Sequence, residues 1–186
     1  MTYNHQYNNV EVRHLKDVSE FEKLDAIYQK CFGEHSVPSQ RQKEWWLSAS
    51  NNILGLFVND YLVGGASFWH INSSIFEKLK TGKLRERDLT VHDFDFTCKN
   101  LYYFSDLAIE EEHRKKQYSN LLLSKMFDQI LMSAINGKEI QILAFAFSES
   151  GSKILNRMDF VKILNAAETL DEQDLYLLQI RDRNKN

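Results

Sequence analysis

A mixed α/β fold, with a central mixed sheet that is partly splayed and flanked by helices, is what this sequence predicts. Two nearly continuous apolar runs, LYYFSDLAI at 101–109 and EIQILAFAF at 139–147, read as strands buried on both faces. Between them lies the strongest amphipathic helix of the chain, 118–135. The elements follow the order β α α β β, insertion, β α β α β β, which suits parallel pairing where a helix separates two strands. A chain of 186 residues fits one domain, spanning 1–186 and long enough for a substantial core.

Each element has a local reason. Residues 10–15 alternate as a strand does. Ser19 with Glu22 reads as a capping box for a helix that gathers Phe21, Leu24, Ile27, Tyr28, Cys31 and Phe32 on one face, and Gly33 ends it. Pro38 and Ser39 with Gln42 open a second, shorter helix through Trp45, Trp46 and Leu47. Ile53–Val58 and 62–69 form a hairpin around Asn59-Asp60, and Gly64-Gly65 signals a bulge or a close backbone approach. The segment 72–100 reads as an insertion with a helix at 74–80, the charged run RERD and the alternating TVHDFDF; its apolar residues are too few for a core of its own. In the long helix Tyr118, Leu122, Met126, Ile130 and Ala134 form a stripe, broadened by Leu121, Leu123, Phe127 and Leu131, with Asn136-Gly137 as its stop. A helix over 151–158 and strands over 160–164 and 175–180 close the chain.

Composition excludes several classes. With 23 Lys+Arg against 26 Asp+Glu the net charge is −3, and no basic stripe suits nucleic acid. No apolar run approaches the roughly 18 residues of a membrane span. The start MTYNHQYNNVEVRH lacks a secretory pattern, and Cys31 and Cys98 are too few for a disulfide framework, which points to the reducing cytoplasm. The stretch HDFD at 92–95 fits a half-exposed strand or loop better than a metal cluster, so no metal is expected. Seven glycines and one proline argue against linker-rich or disordered readings.

The densest feature is LAIEEEHRKKQYSNLLL, 107–123, where a buried strand runs through a basic turn into the long helix. Free N–H groups and the helix dipole make such a junction an anion site, to which Arg114, Lys115 and Lys116 add formal charge. The alternative is that these cations merely solvate a helix start beside EEE.

This junction resembles the signature of the GNAT superfamily, the acyl-CoA-dependent N-acyltransferases. In that family a strand ending L-A-V precedes an R/Q-x-x-G-x-G/A loop and a long helix with two leucines. Here stand Leu107-Ala108-Ile109, Arg114 and Leu122-Leu123, and the likeness extends over nearly the whole chain, including a late segment ending Asp159-Phe160. Lys115, Gln117 and Ser119 occupy the glycine positions, and Leu155 the place where the family often has a tyrosine acting as general acid. The resemblance implies an acetyl-CoA donor lying between the strands 101–109 and 139–147. Backbone groups of Leu107, Ala108 and Ile109 would then hold the pantetheine, and Arg114, Lys115, Lys116, Gln117, Tyr118, Ser119 and Asn120 the pyrophosphate, with Ser148 opening the late segment. It implies direct attack of an amine, from a small molecule or a peptide, on the thioester.

For proton transfer the residues offer Asp106, the one ionisable carboxylate inside the buried strand, which needs either a partner or a raised pKa. Tyr103 and Ser105 are rival candidates. They fall on the opposite face by strict alternation, although a bulge would change that. Trp45, Trp46, Trp69 and His70 are candidates for the acceptor pocket, with core packing as their other reading, and His35 reads as an exposed loop residue. The insertion reads equally as a lid, a disordered loop or an oligomer contact. The protein is expected to be a monomer or homodimer that binds neither nucleic acid nor membrane. The other functional reading is a GNAT-like binding or regulatory module with weak or no catalysis.

Overall fold

The computed structural model describes residues 9–133 and 139–181. The elements are β1 (Val10–His14), α1 (Val18–Phe32), α2 (Ser39–Ser48), β2 (Ile53–Val58), β3 (Tyr61–His70), α3 (Ser73–Lys80), β4 (Leu101–Ile109), α4 (Tyr118–Ser133), β5 (Ile140–Ala146), α5 (Glu149–Arg157), β6 (Val161–Leu164) and β7 (Asp174–Ile180). The seven strands form one sheet in the order β1-β2-β3-β4-β5-β7-β6. Only β4 and β5 pair in parallel; the other neighbours are antiparallel. Alternation in the strands sends one set of side chains to α1, α2 and the insertion. The other set packs under α4 and α5.

The β2–β3 turn takes the left-handed conformation at Asn59 (φ 49°) and Asp60 (φ 66°), as a tight hairpin with the right twist requires. Gly64 and Gly65 face β4, where a Cβ on Gly64 would meet Ala108 O at 2.5 Å. The close approach anticipated there is real, and the β2–β3 register shift beside it accounts for the bulge signal.

Two local expectations are corrected and one open alternative is resolved. α1 begins at Val18, and its cap is Asp17 rather than Ser19: Asp17 Oδ1 accepts from Glu20 N–H (3.0 Å) while Glu20 Oε2 accepts from Lys16 N–H (2.7 Å). The same D/S-x-x-E spacing simply occurs two residues earlier. TVHDFDF is not a strand. Thr90 and Asp93 form a capping box around one turn of 3-10 helix, and only Phe94 bridges to Ile71. Leu121 and Leu131, counted into the α4 stripe, are exposed, whereas Leu122, Leu123, Met126 and Ile130 are buried. Ala134 and Asn136-Gly137 lie outside the described residues.

The 72–100 insertion is ordered and built into the core. Ile75, Phe76, Leu79, Leu89 and Phe94 join the α1–α2 side of the sheet, so too few apolar residues for an independent core become enough for a shared one. Phe94 stacks on Trp69 (4.8 Å) and meets Trp45 edge-on (5.2 Å). The insertion is also stitched to the β6–β7 connection: Leu170 N–H donates to Gly82 O and Glu86 N–H to Asp171 Oδ2 (2.9 Å).

Candidate functional site

The β4–β5 ladder runs from Leu101↔Gln141 to Phe104↔Ala144 and stops. β4 continues to Ile109 against β3, and β5 continues to Ala146 against β7, so the two strands splay apart. Glu110 N–H donates to Val63 O on β3. Amides alternate along a strand, so Ala108 also faces β3, while the backbone polar groups of Leu107 and Ile109 face the gap. The gap is the floor of a cavity of about 730 Å³, a size suited to a large organic ligand.

At one end of the cavity the chain turns from β4 into α4. Lys115 (φ 63°) and Gln117 (φ 60°) both adopt the left-handed conformation, at two of the three positions where the resembling motif carries glycine; Ser119, at the third, does not. Side chains there cost about 1 kcal/mol or more each relative to a relaxed backbone. The reward is a cradle: no described group accepts a hydrogen bond from the N–H groups of residues 115–119. Those amides face the positive end of the α4 dipole. Arg114 folds inward, donating from Nε to Ile109 O (2.9 Å) and from Nη2 to Cys31 Sγ (3.4 Å), so it closes the strand end as well as charging the turn. Leu107, Ala108, Ile109, Arg114, Lys115, Gln117, Tyr118, Ser119, Asn120 and Ser148 all line the cavity; Lys116 does not. Ser148 Oγ caps α5, accepting from Gly151 N–H (3.1 Å). Leu155, buried, lines the wall with no hydroxyl. Lys153 and Arg157, which sequence reasoning missed, share a shallow annex with Lys115 and Ser119. Their four-residue spacing on α5 was the available signal.

Past the splay lies a polar cluster. The β3–β4 register shifts between Ser67 and Phe68, so that Asp106 pairs with Ser67, Phe104 with Phe68, and Ser105 is the extra residue. This bulge overturns strict alternation: Ser105 and Asp106 converge instead of facing opposite ways. Ser67 Oγ–H and Ser105 Oγ–H donate to Asp106 Oδ2 (2.5 and 2.6 Å), the two hydroxyls lie 2.7 Å apart, and Trp69 Nε1–H donates to Ser105 (2.9 Å). Asp106 is the acceptor in this closed triangle of oxygens. Burial pushes this carboxyl up, opposed by Ser105 and Ser67 and reinforced by Asp25. Tyr103 is fully buried with its hydroxyl beside Glu86, and burial raises it well above an ordinary phenol. Ser105 and Asp106 line the cavity; Tyr103 does not.

A pH test follows. The folded pKa of Asp106 lies above the unfolded carboxyl value of about 3.9, so its contribution to stability is full below pH ~4 and is lost as pH rises through the folded pKa. Asp106→Asn keeps the shape and cannot ionise. The urea midpoints of wild type and variant should coincide near pH 4 and diverge upward in favour of the variant. Divergence toward acid instead would show Asp106 to be a stabilised carboxylate.

The acceptor candidates are also corrected. Trp45, Trp46, Trp69 and His70 do not line the cavity; they are buried on the α1–α2 side or against β4. His35 is exposed as expected, yet it lines the cavity and packs on Phe147 (5.0 Å). Glu86, passed over as part of a charged run, reaches the cavity from the insertion.

No protein-family model and no curated protein sequence matches the chain. Solved structures do. The loading GNATL domain of CurA from Lyngbya majuscula aligns with a TM-score of 0.66 at 14% identity, over 94% of this chain and 98% of that one. YncA, a putative acetyltransferase from Salmonella typhimurium solved with its cofactor acetyl-CoA, aligns at 0.63 and 15%, over 96% and 97%. Arabidopsis thaliana Naa50, solved with the bisubstrate analogue CoA-Ac-MVNAL, aligns at 0.59 and 14%, over 93% and 99%. At these identities the likeness concerns the backbone, and on that ground the chain has the fold of the GNAT acetyltransferases.

Proposed function

We propose that this protein is an N-acyltransferase that moves an acetyl or other short acyl group from acyl-CoA to a primary amine. The observation that carries the reading is the continuity of the strand gap with the left-handed turn 114–120. An extended thioester fits along the backbone that Leu107 and Ile109 turn toward the gap, where Arg114 already holds Ile109 O, and a pyrophosphate fits the unpartnered amides of 115–119. Arg114, Lys115 and Lys116 add charge at that end, with Lys153 and Arg157 alongside for a further phosphate. Acetyl-CoA is a substrate here; it supplies the activated acyl carbon.

The chain's own residues handle the amine and its proton. Attack forms a C–N bond as the C–S bond breaks, the amine gives up a proton, and the thiolate takes one. Leu155 offers neither. Ser105 lines the gap with its hydroxyl tied to Asp106, which makes this pair the proton-handling group, with Tyr103 behind it as a buried neighbour.

Thermal unfolding with acetyl-CoA tests the reading. Ligand at about 100 times its Kd should stabilise the protein by roughly 2.7 kcal/mol, a rise of about 5–10 °C for a chain of this size. Lys115→Gly and Gln117→Gly should each raise stability by about 0.5–1 kcal/mol, because the left-handed turn strains a side chain and not glycine; Gln117→Gly should also tighten acetyl-CoA, whereas Lys115→Gly gives up a cation beside the pyrophosphate. A second reading, a GNAT-like binding or regulatory module, is favoured by those same two side chains and by Leu155. A melting curve unmoved by millimolar acetyl-CoA, in the wild type and in both glycine variants, would select it.

A further inference from the structure

Glu86 belongs neither to the phosphate turn nor to the serine–aspartate cluster, yet it sits in the wall of the same cavity. The residue is half-buried with its Oε1 enclosed, and that atom has no hydrogen-bond partner among the described residues. Fully buried Tyr103 sets its hydroxyl beside Glu86, where it opposes the upward push that burial gives the carboxyl, yet no hydrogen bond of ordinary geometry closes between them. Enclosed polar atoms of this kind are costly unless something pairs with them. Asp171, tied to the Glu86 amide, and Asp106 add two more acids around this end. The cavity-lining side chains of fixed positive charge, Arg114, Lys115 and Arg157, belong to the phosphate turn and to the end of α5. Phe32, Val37, Phe145 and Phe147 complete the walls.

We infer that the 72–100 insertion supplies the acceptor subsite, in which Glu86 receives the ammonium of a primary amine whose carbon skeleton is apolar and carries no carboxylate. The inference rests on the acyltransferase reading and deepens it. A cation satisfies the enclosed carboxylate oxygen, and apolar walls accept the carbons beside it. A carboxylate on the acceptor would be enclosed beside Glu86 with no cation for a partner, because Arg114, Lys115 and Arg157 stand at the phosphate end, so carboxylated amines are turned away. On reaction the bound ammonium yields one proton to the Glu86 carboxylate, the free amine forms the C–N bond as the C–S bond breaks, its second proton passes by way of the Ser105–Asp106 pair to the thiolate, and the Glu86 carboxyl later returns its proton to solvent.

Phenethylamine and phenylalanine share ring and amine and differ by one carboxylate, which makes them the probe. With acetyl-CoA as donor, kcat/KM should favour phenethylamine by at least tenfold. Glu86→Gln should raise the KM for phenethylamine at least tenfold, leave the Kd of acetyl-CoA within twofold, and leave Tm unchanged or higher, since one of three neighbouring carboxylates is removed. Equal use of the two amines, or an unchanged KM in a folded Glu86→Gln variant, overturns the assignment. Binding of acetyl-CoA without turnover of either amine overturns the acceptor class alone. No binding of acetyl-CoA by the wild type overturns the acyltransferase reading and this subsite with it.

Discussion

Trp69→Ala should lower stability by about 3–5 kcal/mol, the usual range for emptying a buried indole site. Trp69 is 1% exposed, stacks on Phe94 with planes 9° apart and meets Trp45 edge-on at 5.4 Å. Its removal therefore takes the partner from the aromatic ring that fastens the insertion to β3. It also removes the donor that fixes Ser105 Oγ. Trp69→Phe separates the two effects: most of the packing stays, the hydrogen bond goes, and the loss should fall to about 1–2 kcal/mol. Urea unfolding of both variants measures the difference. Equal losses would mean that the indole N–H, and not the ring stack, holds this region together.

Gly64→Val should be nearly as damaging to stability, at about 3 kcal/mol, and more damaging to the site. Gly64 pairs with Ile109, and a Cβ there would stand 2.5 Å from Ala108 O and 3.0 Å from Ile109 Cα. Neither atom belongs to a flexible side chain, so β4 itself must move. The displaced segment is the one whose backbone faces the gap, and the Arg114 anchor on Ile109 O moves with it. Acetyl-CoA should lose at least a hundredfold in affinity, while far-UV circular dichroism shows the secondary structure retained below the melting temperature. Normal acetyl-CoA affinity in this variant would dissociate the β3–β4 contact from ligand binding.

Much of this was legible because periodicity and punctuation are local. Asn59-Asp60 announced its turn, the α4 stripe announced its buried face, and the residues at 107–123 announced the strand–turn–helix junction. What escaped depended on long-range pairing. No pattern in LYYFSDLAI reveals that Ser105 is an extra residue opposite β3, because a bulge is a property of two strands. Trp45 and Trp69 read as core residues first and pocket candidates second, and Phe94, arriving from the insertion, is what encloses them. Glu86 was hidden for the same reason: in RERD it resembles any solvated charge, and its enclosure comes from Asp171 and Tyr103, distant in sequence. The glycine positions show both sides. Lys115 and Gln117 stand where the resembling motif has glycine, and only the structure reveals that the backbone there is left-handed and strains both residues.

The short β4–β5 seam has a further consequence for how the molecule holds together. Every other strand pairing joins neighbours within 9–109 or within 140–180, so the sheet consists of two halves. In hydrogen bonding the halves meet along only the pairs from Leu101↔Gln141 to Phe104↔Ala144. Sequence distance does not set this seam apart, since the β1–β2 pair His14↔Leu54 spans as much chain as Leu101↔Gln141; its shortness does. The cavity opens where the two halves diverge, so a molecule lodged in the gap acts as a clasp between two pieces of one sheet.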